Sequence, residues 1–363
     1  MERFITNRQV SFVLYCIIVG YGIINLPKNT AMAGGTGGWV SIFIATLIFI
    51  PITYMLTYLQ YLYEGKTIYE YSQELVGKLM TYVFMLVYIM YFFLYFTMII
   101  RIYCETIALT ILVKTPVMYL SILFYVVIGY AIIKGLNTIV RLCEIYGFLS
   151  IVFSIIFSLI LFTQGKLVNI TPIFVSDDIM VYLKGVSKMF LPLLGMEILT
   201  VIPFNKNNNK GIFRYTTLMV GFIGILYIYI VESVLSVVGV ESIIYIKASI
   251  FGVAKGIDVS YLEFLRRLDG VYIFTWTLNI ICAASLWGYG AATLTNKVFK
   301  SIRYNFIVIF MIILSFIIAR IPKTMEQVEN FITYLSYAGT MAFFLIPFIL
   351  FLVTKVRKYD KKV

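Results

Sequence analysis

"IIVGYGIINLPKNTAMAGG", residues 17–35, lies within the first apolar run of the chain and places Gly20, Gly22 and Pro27 where a membrane helix should be continuous. Glycine costs about 1 kcal/mol against alanine in a helix interior. In hydrocarbon, an opened turn also leaves backbone groups without water to bind. A first helix broken at Gly20-Tyr21-Gly22 therefore needs a compensating role.

The surrounding chain is built for a bilayer. Its 363 residues are 61% hydrophobic and 13% charged, with a mean hydropathy of +0.96. A soluble domain carries about 25% charge. Nine uncharged runs, from Gln9–Pro27 to Asn330–Thr354, approach the ~20 residues that cross a bilayer. A tenth, about 180–204, is interrupted only by Lys184, Lys188 and Glu197. The expectation is an all-α polytopic membrane protein with ten transmembrane helices. It forms one membrane domain over 1–363, with helices 1–5 about 8–165 and helices 6–10 about 180–355. An outer loop over 241–269 carries short helices bent at Gly252 and Gly256, and "YEGKTIYEYSQELVGK" (63–78) reads as a short surface helix.

The net charge of +12 fits the cytoplasmic excess of Lys and Arg in membrane proteins better than nucleic-acid binding. With both termini cytoplasmic, 17 of the 29 Lys and Arg fall inside, in loops such as "NKNNNKGIFR" and in the tail "KVRKYDKK". No cleavable signal peptide is expected. The absence of histidine excludes His-based catalysis, His proton relays and His-ligated metal. Cys16, Cys104, Cys143 and Cys282 are scattered without CxxC spacing and read as reduced packing residues. No Walker A, HExxH or GxSxG sequence is present, and "GYG" at 20–22 lacks the TVGYG run of a potassium filter. No catalytic residue, metal or cofactor is expected, and no enzyme activity.

A second interrupted segment answers the first. "MFLPLLGMEILTVIPF" (189–204) places Pro192 and Gly195 in the sixth span, with Pro203 after it. These are the opening helices of two five-helix halves. Five is odd, so the second half enters the membrane inverted. Paired interruptions at corresponding places in inverted halves point to a midplane binding site. Half-helix ends could receive a carboxylate at one pole and an ammonium or cation at the other. A zwitterion such as an amino acid fits. The competing reading is that Gly and Pro are simply commoner in membrane helices.

Glu197 lies two residues beyond Gly195, at a depth where an acid costs at least ~2.5 kcal/mol. It could accept from freed N–H groups, hold a ligand ammonium, titrate, or staple the broken helix to helix 1. Arg101 and Glu105 read as an i,i+4 pair, and Glu232 as a snorkelling residue near the outer surface. Tyr88, Tyr91 and Tyr95 read as lipid-facing or packing aromatics. Asn279 and Ser285 lie in the small-residue stretch "NIICAASLWGYGAAT", whose first role is close helix packing.

These residues together resemble a known family, the endospore germination permeases. These are the B subunits of GerA-type nutrient germinant receptors, in the amino acid–polyamine–organocation superfamily. The resemblance runs along nearly the whole chain. It rests on "TNRQVSFVLYCIIVGYGIINLPKNTAMAGGTGGWVS" (6–41), "RIYCETIALTILVKTP" (101–116), "KGLNTIVRLCEI" (134–145), "FLPLLGMEILTVIPF" (190–204) and "FLRRLDGVYIFTWT" (264–277). One departure is an absent acid near Asn137; helix 5 also lacks the lysine that some proton-coupled relatives carry, so that style of coupling is unsupported.

The resemblance implies a LeuT-like 5+5 inverted repeat with broken helices 1 and 6. It also implies a ligand-sensing subunit in the spore inner membrane or cell membrane, acting with an A-type membrane subunit and a C-type lipoprotein. A small-molecule germinant, an amino acid in the first instance, would sit among Val19, Gly20, Tyr21 and Gly22 of helix 1 and Leu194, Gly195, Met196 and Glu197 of helix 6. Tyr95, Thr97, Asn279 and Ala283 would flank it. An amino acid transporter coupled to H⁺ or Na⁺ is the alternative, and it would use the same pocket.

Overall fold

The computed structural model describes residues 5–246, 249–255 and 268–357. The parts of the outer loop, the helix 8 approach and the tail that fall elsewhere, Gly256 among them, lie outside the described residues. The regular structure of the described residues is all helical, in the order α1 (Asn7–Gly22), α2 (Leu26–Gly34), α3 (Trp39–Leu62), α4 (Ile68–Thr110), α5 (Val117–Lys134) and α6 (Leu136–Gln164). Then come α7 (Ile179–Gly185), α8 (Phe190–Leu193), α9 (Ile212–Val238), α10 (Val240–Ile243) and α11 (Ser249–Lys255). The chain closes with α12 (Leu268–Val298), α13 (Tyr304–Ile318), α14 (Met325–Thr340) and α15 (Ile346–Val356).

By length and composition, seven helical segments can cross a membrane, and α1 with α2, bent by 70°, makes an eighth. The two other expected spans take different forms. Helix α13 has only 15 residues. The sixth span is divided into α7, a 3-10 turn over Val186–Met189, α8, and a 3-10 helix over Met196–Val201. Gly252 falls inside α11 rather than at a bend.

Local chemistry sets several boundaries. Thr6 caps α1: the Gln9 N–H donates to the Thr6 hydroxyl at 3.3 Å, and the Thr6 N–H to the Gln9 side chain at 3.1 Å. Thr67 and Glu70 form the same reciprocal box at the start of α4. The surface helix expected over 63–78 is the first part of α4, set off by Gly77 at φ 83° and ψ 171°. A side chain there would be strained. Glu70 on this piece holds Lys297 of α12 at 2.5 Å.

Helix α12 is the axis of the bundle, packed on α4, α1, α6, α5 and α13, while α9 packs on α3, α6 and α1. The outward faces carry Leu86, Leu123, Val126, Ile225, Phe306, Phe310 and Ile317, all exposed. Such a belt would be an aggregation surface in water and is normal against lipid.

Candidate functional site

The first interruption is displaced from its expected place. Helix α1 continues through Gly20, Tyr21 and Gly22 and opens at Ile23-Ile24-Asn25. The glycines serve approach rather than opening. A Cβ on Gly20 would lie 2.6 Å from the Ala283 Cβ and 3.4 Å from the Asn279 carbonyl oxygen. A Cβ on Gly22 would collide with the Pro192 carbonyl and the Tyr227 hydroxyl. The second interruption stands where the sequence placed it. Leu194 is extended, and Gly195 adopts φ 130°, which favours glycine. A Cβ on Gly195 would lie 2.9 Å from the Ile17 side chain. The two broken helices therefore touch directly.

Aromatic groups bind backbone carbonyls at and beside these interruptions. The Trp276 indole N–H donates to the Gly20 carbonyl at 2.9 Å. The Tyr227 hydroxyl faces two carbonyls, Ile18 at 3.1 Å and Pro192 at 3.0 Å. In the last span, Met341–Leu345 forms a π-helical turn, and the Tyr88 hydroxyl donates to the Ala342 carbonyl within it.

Glu197 is wholly buried. Its carboxyl accepts from the Gly195 N–H at 3.0 Å and from the Tyr91 hydroxyl at 2.5 Å. It thus binds its own break and α4, rather than helix 1 as the staple reading expected. Among the described residues no Lys or Arg forms an ion pair with it. Tyr91 packs edge-on to Tyr95 and Trp287, and Tyr95 stacks on Trp287 at 4.6 Å. The Tyr95 hydroxyl, the Trp287 indole N–H and the Asn279 side-chain oxygen are all buried without a hydrogen-bond partner among the described residues. Each such group costs about 1–3 kcal/mol until something binds it.

The expected site residues thus separate into two sets. Gly20, Asn279 and Ala283 meet at one contact, while Glu197 and Tyr95 are joined through Tyr91. Val19 and Leu194 are buried close by, and Tyr21 is half-buried. Met196 and Thr97 turn away: the Met196 sulfur accepts from Thr53 of α3, and the Thr97 hydroxyl donates to Ser315 of α13. The contributions of Tyr91, Trp276, Trp287 and Tyr227 were not singled out from sequence. Tyr91 stood in a stripe read as packing, and the indoles and Tyr227 sit in runs too apolar to mark them. The Arg101–Glu105 pair forms at 3.0 Å, as its spacing suggested. The Glu232 carboxyl keeps one oxygen buried and without a partner among the described residues.

A family model described as "Spore germination protein" matches residues 4–328. Spore germination protein A2 of Bacillus subtilis is 25% identical over 351 residues, covering 94% of this chain and 93% of that protein. Spore germination protein YndE of the same organism is 22% identical over 360 residues, covering 99% and 98%. Among solved structures, MhsT in complex with L-phenylalanine superposes with a TM-score of 0.69 at 12% identity, covering 98% of this chain and 90% of that one. The fold is accordingly LeuT-like.

Proposed function

The chain belongs to the spore germination protein family, and from that premise we propose that it is the ligand-sensing membrane subunit of a nutrient germinant receptor. The ligand would be a small germinant of amino-acid type, held where α1–α2 and the segments around Gly195 are interrupted. The observation that carries this reading is the set of buried, unpartnered polar atoms on Tyr95, Trp287 and Asn279, beside a buried Glu197 with no cationic partner among the described residues. An ammonium would complement the Glu197 carboxyl, and a carboxylate would take the indole N–H. The L-phenylalanine bound to MhsT, a relative in fold, supports the ligand class.

In the conformation described, Gly20 presses on Ala283 and Gly195 on Ile17, so the site is closed. Ligand binding requires these contacts to part, and it shifts the receptor only by the difference in affinity between closed and open forms. We place the chain in the spore inner membrane or cell membrane with both termini cytoplasmic. Its partners would be an A-type membrane subunit and a C-type lipoprotein.

The test is a germinant panel on spores carrying the chain with these partners, comparing wild type with Asn279→Ala and Tyr95→Phe. Both variants should raise the half-maximal concentration of one amino acid. Unchanged responses from folded variants would remove the site. Uptake of labelled amino acid by liposomes holding this chain alone would favour a secondary transporter instead.

A further inference from the structure

Cysteines far apart in sequence come together in the fold. Cys16 of α1, Cys143 of α6 and Cys282 of α12 place their sulfur atoms within 4.8 Å of one another. All three are fully buried. The Cys16 thiol donates to the Cys143 carbonyl at 3.5 Å. Gly147, one turn on from Cys143, leaves the space beside the Cys16 sulfur, since a Cβ there would lie 3.1 Å from it. Buried packing needs no such convergence of one residue type from three helices.

We propose that Cys16, Cys143 and Cys282 form a three-sulfur site for a soft d¹⁰ metal ion of the copper(I) class. Thiolate sulfur selects such ions over hard cations. The chain has no histidine, and no carboxylate joins the cluster among the described residues. The donor set is therefore three sulfurs and suits trigonal coordination. With metal–sulfur bonds of ~2.3 Å, a trigonal ion holds its sulfurs about 4.0 Å apart. Closing the cluster takes less than ~1 Å of sulfur movement per pair.

Each cysteine binds as thiolate and gives up its proton, so filling the three-sulfur site releases three protons.

The position gives such an ion a consequence. Cys16 is one helical turn before Gly20, and Cys282 adjoins Ala283, against which Gly20 rests. A bound ion would clamp α1, α6 and α12 together about two turns before the interruption of α1 at residues 23–25, and would oppose its opening. This inference is independent of the ligand reading above.

The experiment titrates copper(I), kept reduced, into the purified full chain in lipid nanodiscs against a coloured copper(I) chelator. Wild type should take up one ion per chain, and X-ray absorption should report an all-sulfur shell. Each of Cys16→Ala, Cys143→Ala and Cys282→Ala should weaken binding by more than the ~10–100-fold typical of an outer-shell partner. Cys104→Ala, outside the cluster, should bind as wild type. Serine variants cover any position where alanine does not fold, because a hydroxyl keeps the size but ligates soft ions poorly. Copper should raise the melting temperature of wild type and not of the cluster variants. No uptake by wild type, equal uptake by the triple variant, or a nitrogen and oxygen shell each overturns the proposal.

Discussion

Glu197→Gln separates a charge that holds a ligand from a group that only staples a broken helix. Glutamine has the same shape. Its oxygen can accept from the Gly195 N–H, now at 3.0 Å from the carboxyl, and its amide can donate to the Tyr91 oxygen, now at 2.5 Å. Hydrogen bonds to a charged group are worth about 1.5–3 kcal/mol and neutral ones about 0.5–1.5. Two weakened bonds therefore cost about 2 kcal/mol in total. Removing an uncompensated acid from membrane depth returns a similar amount, at least ~2.5 kcal/mol on insertion scales. The variant should fold with a melting temperature close to wild type. A ligand ammonium, however, loses a buried counter-charge, a change that costs about 2–5 kcal/mol across interfaces. The lower bound is already about 30-fold in affinity. The assay is the half-maximal germinant concentration of spores carrying the variant with its partner subunits, alongside the melting of the purified chain. A folded Glu197→Gln chain whose response midpoint stays within about 3-fold of wild type refutes the charge role and leaves the staple.

Close packing gives further tests. Gly20→Ala should destabilise the purified chain by about 1–3 kcal/mol, because its Cβ meets that of Ala283 at 2.6 Å. Adding Ala283→Gly should restore most of the loss, and a double variant no better than the single would show that this contact is not the cause. Tyr227→Phe leaves the Ile18 and Pro192 carbonyls without their shared donor. It should cost about 1–2 kcal/mol in thermal melts, and faster exchange of backbone amides at residues 22–26 and 194–197 would locate the effect. Gly77→Ala forces a side chain into φ 83° and should cost about 1–3 kcal/mol. An unchanged melt would mean that α4 straightens there without penalty.

The helical class and the paired interruptions were legible because both are patterns of kind and spacing. Long uncharged runs announce membrane helices, and Gly195 with Pro192 announced the second break at its true position. The first break moved by three residues for a physical reason. Glycine signals that the backbone has no side chain, and this serves a close contact as well as a turn. Gly20 and Gly22 are spent on Ala283 and Pro192, while the helix opens at residues 23–25, which contain no glycine. The polar lining was only half legible. Glu197 stands out as a charge in an apolar run, but Tyr91, Trp276 and Tyr227 lie among 29 tyrosines and 3 tryptophans. Which aromatic hydroxyl meets a freed carbonyl depends on helices far apart in sequence. The cysteine cluster is the extreme case, since its members are separated by more than a hundred residues and no spacing rule joins them.

The hydroxyl of Tyr227 has one hydrogen and two carbonyl neighbours, one on each interrupted helix. At any instant it can donate fully to only one of them. The clasp between the two interrupted helices is therefore a shared hydrogen, and letting one side go leaves the whole of it to the other. A joint of this kind holds the resting form together yet sets a low toll on its release, and it makes either helix free to leave first.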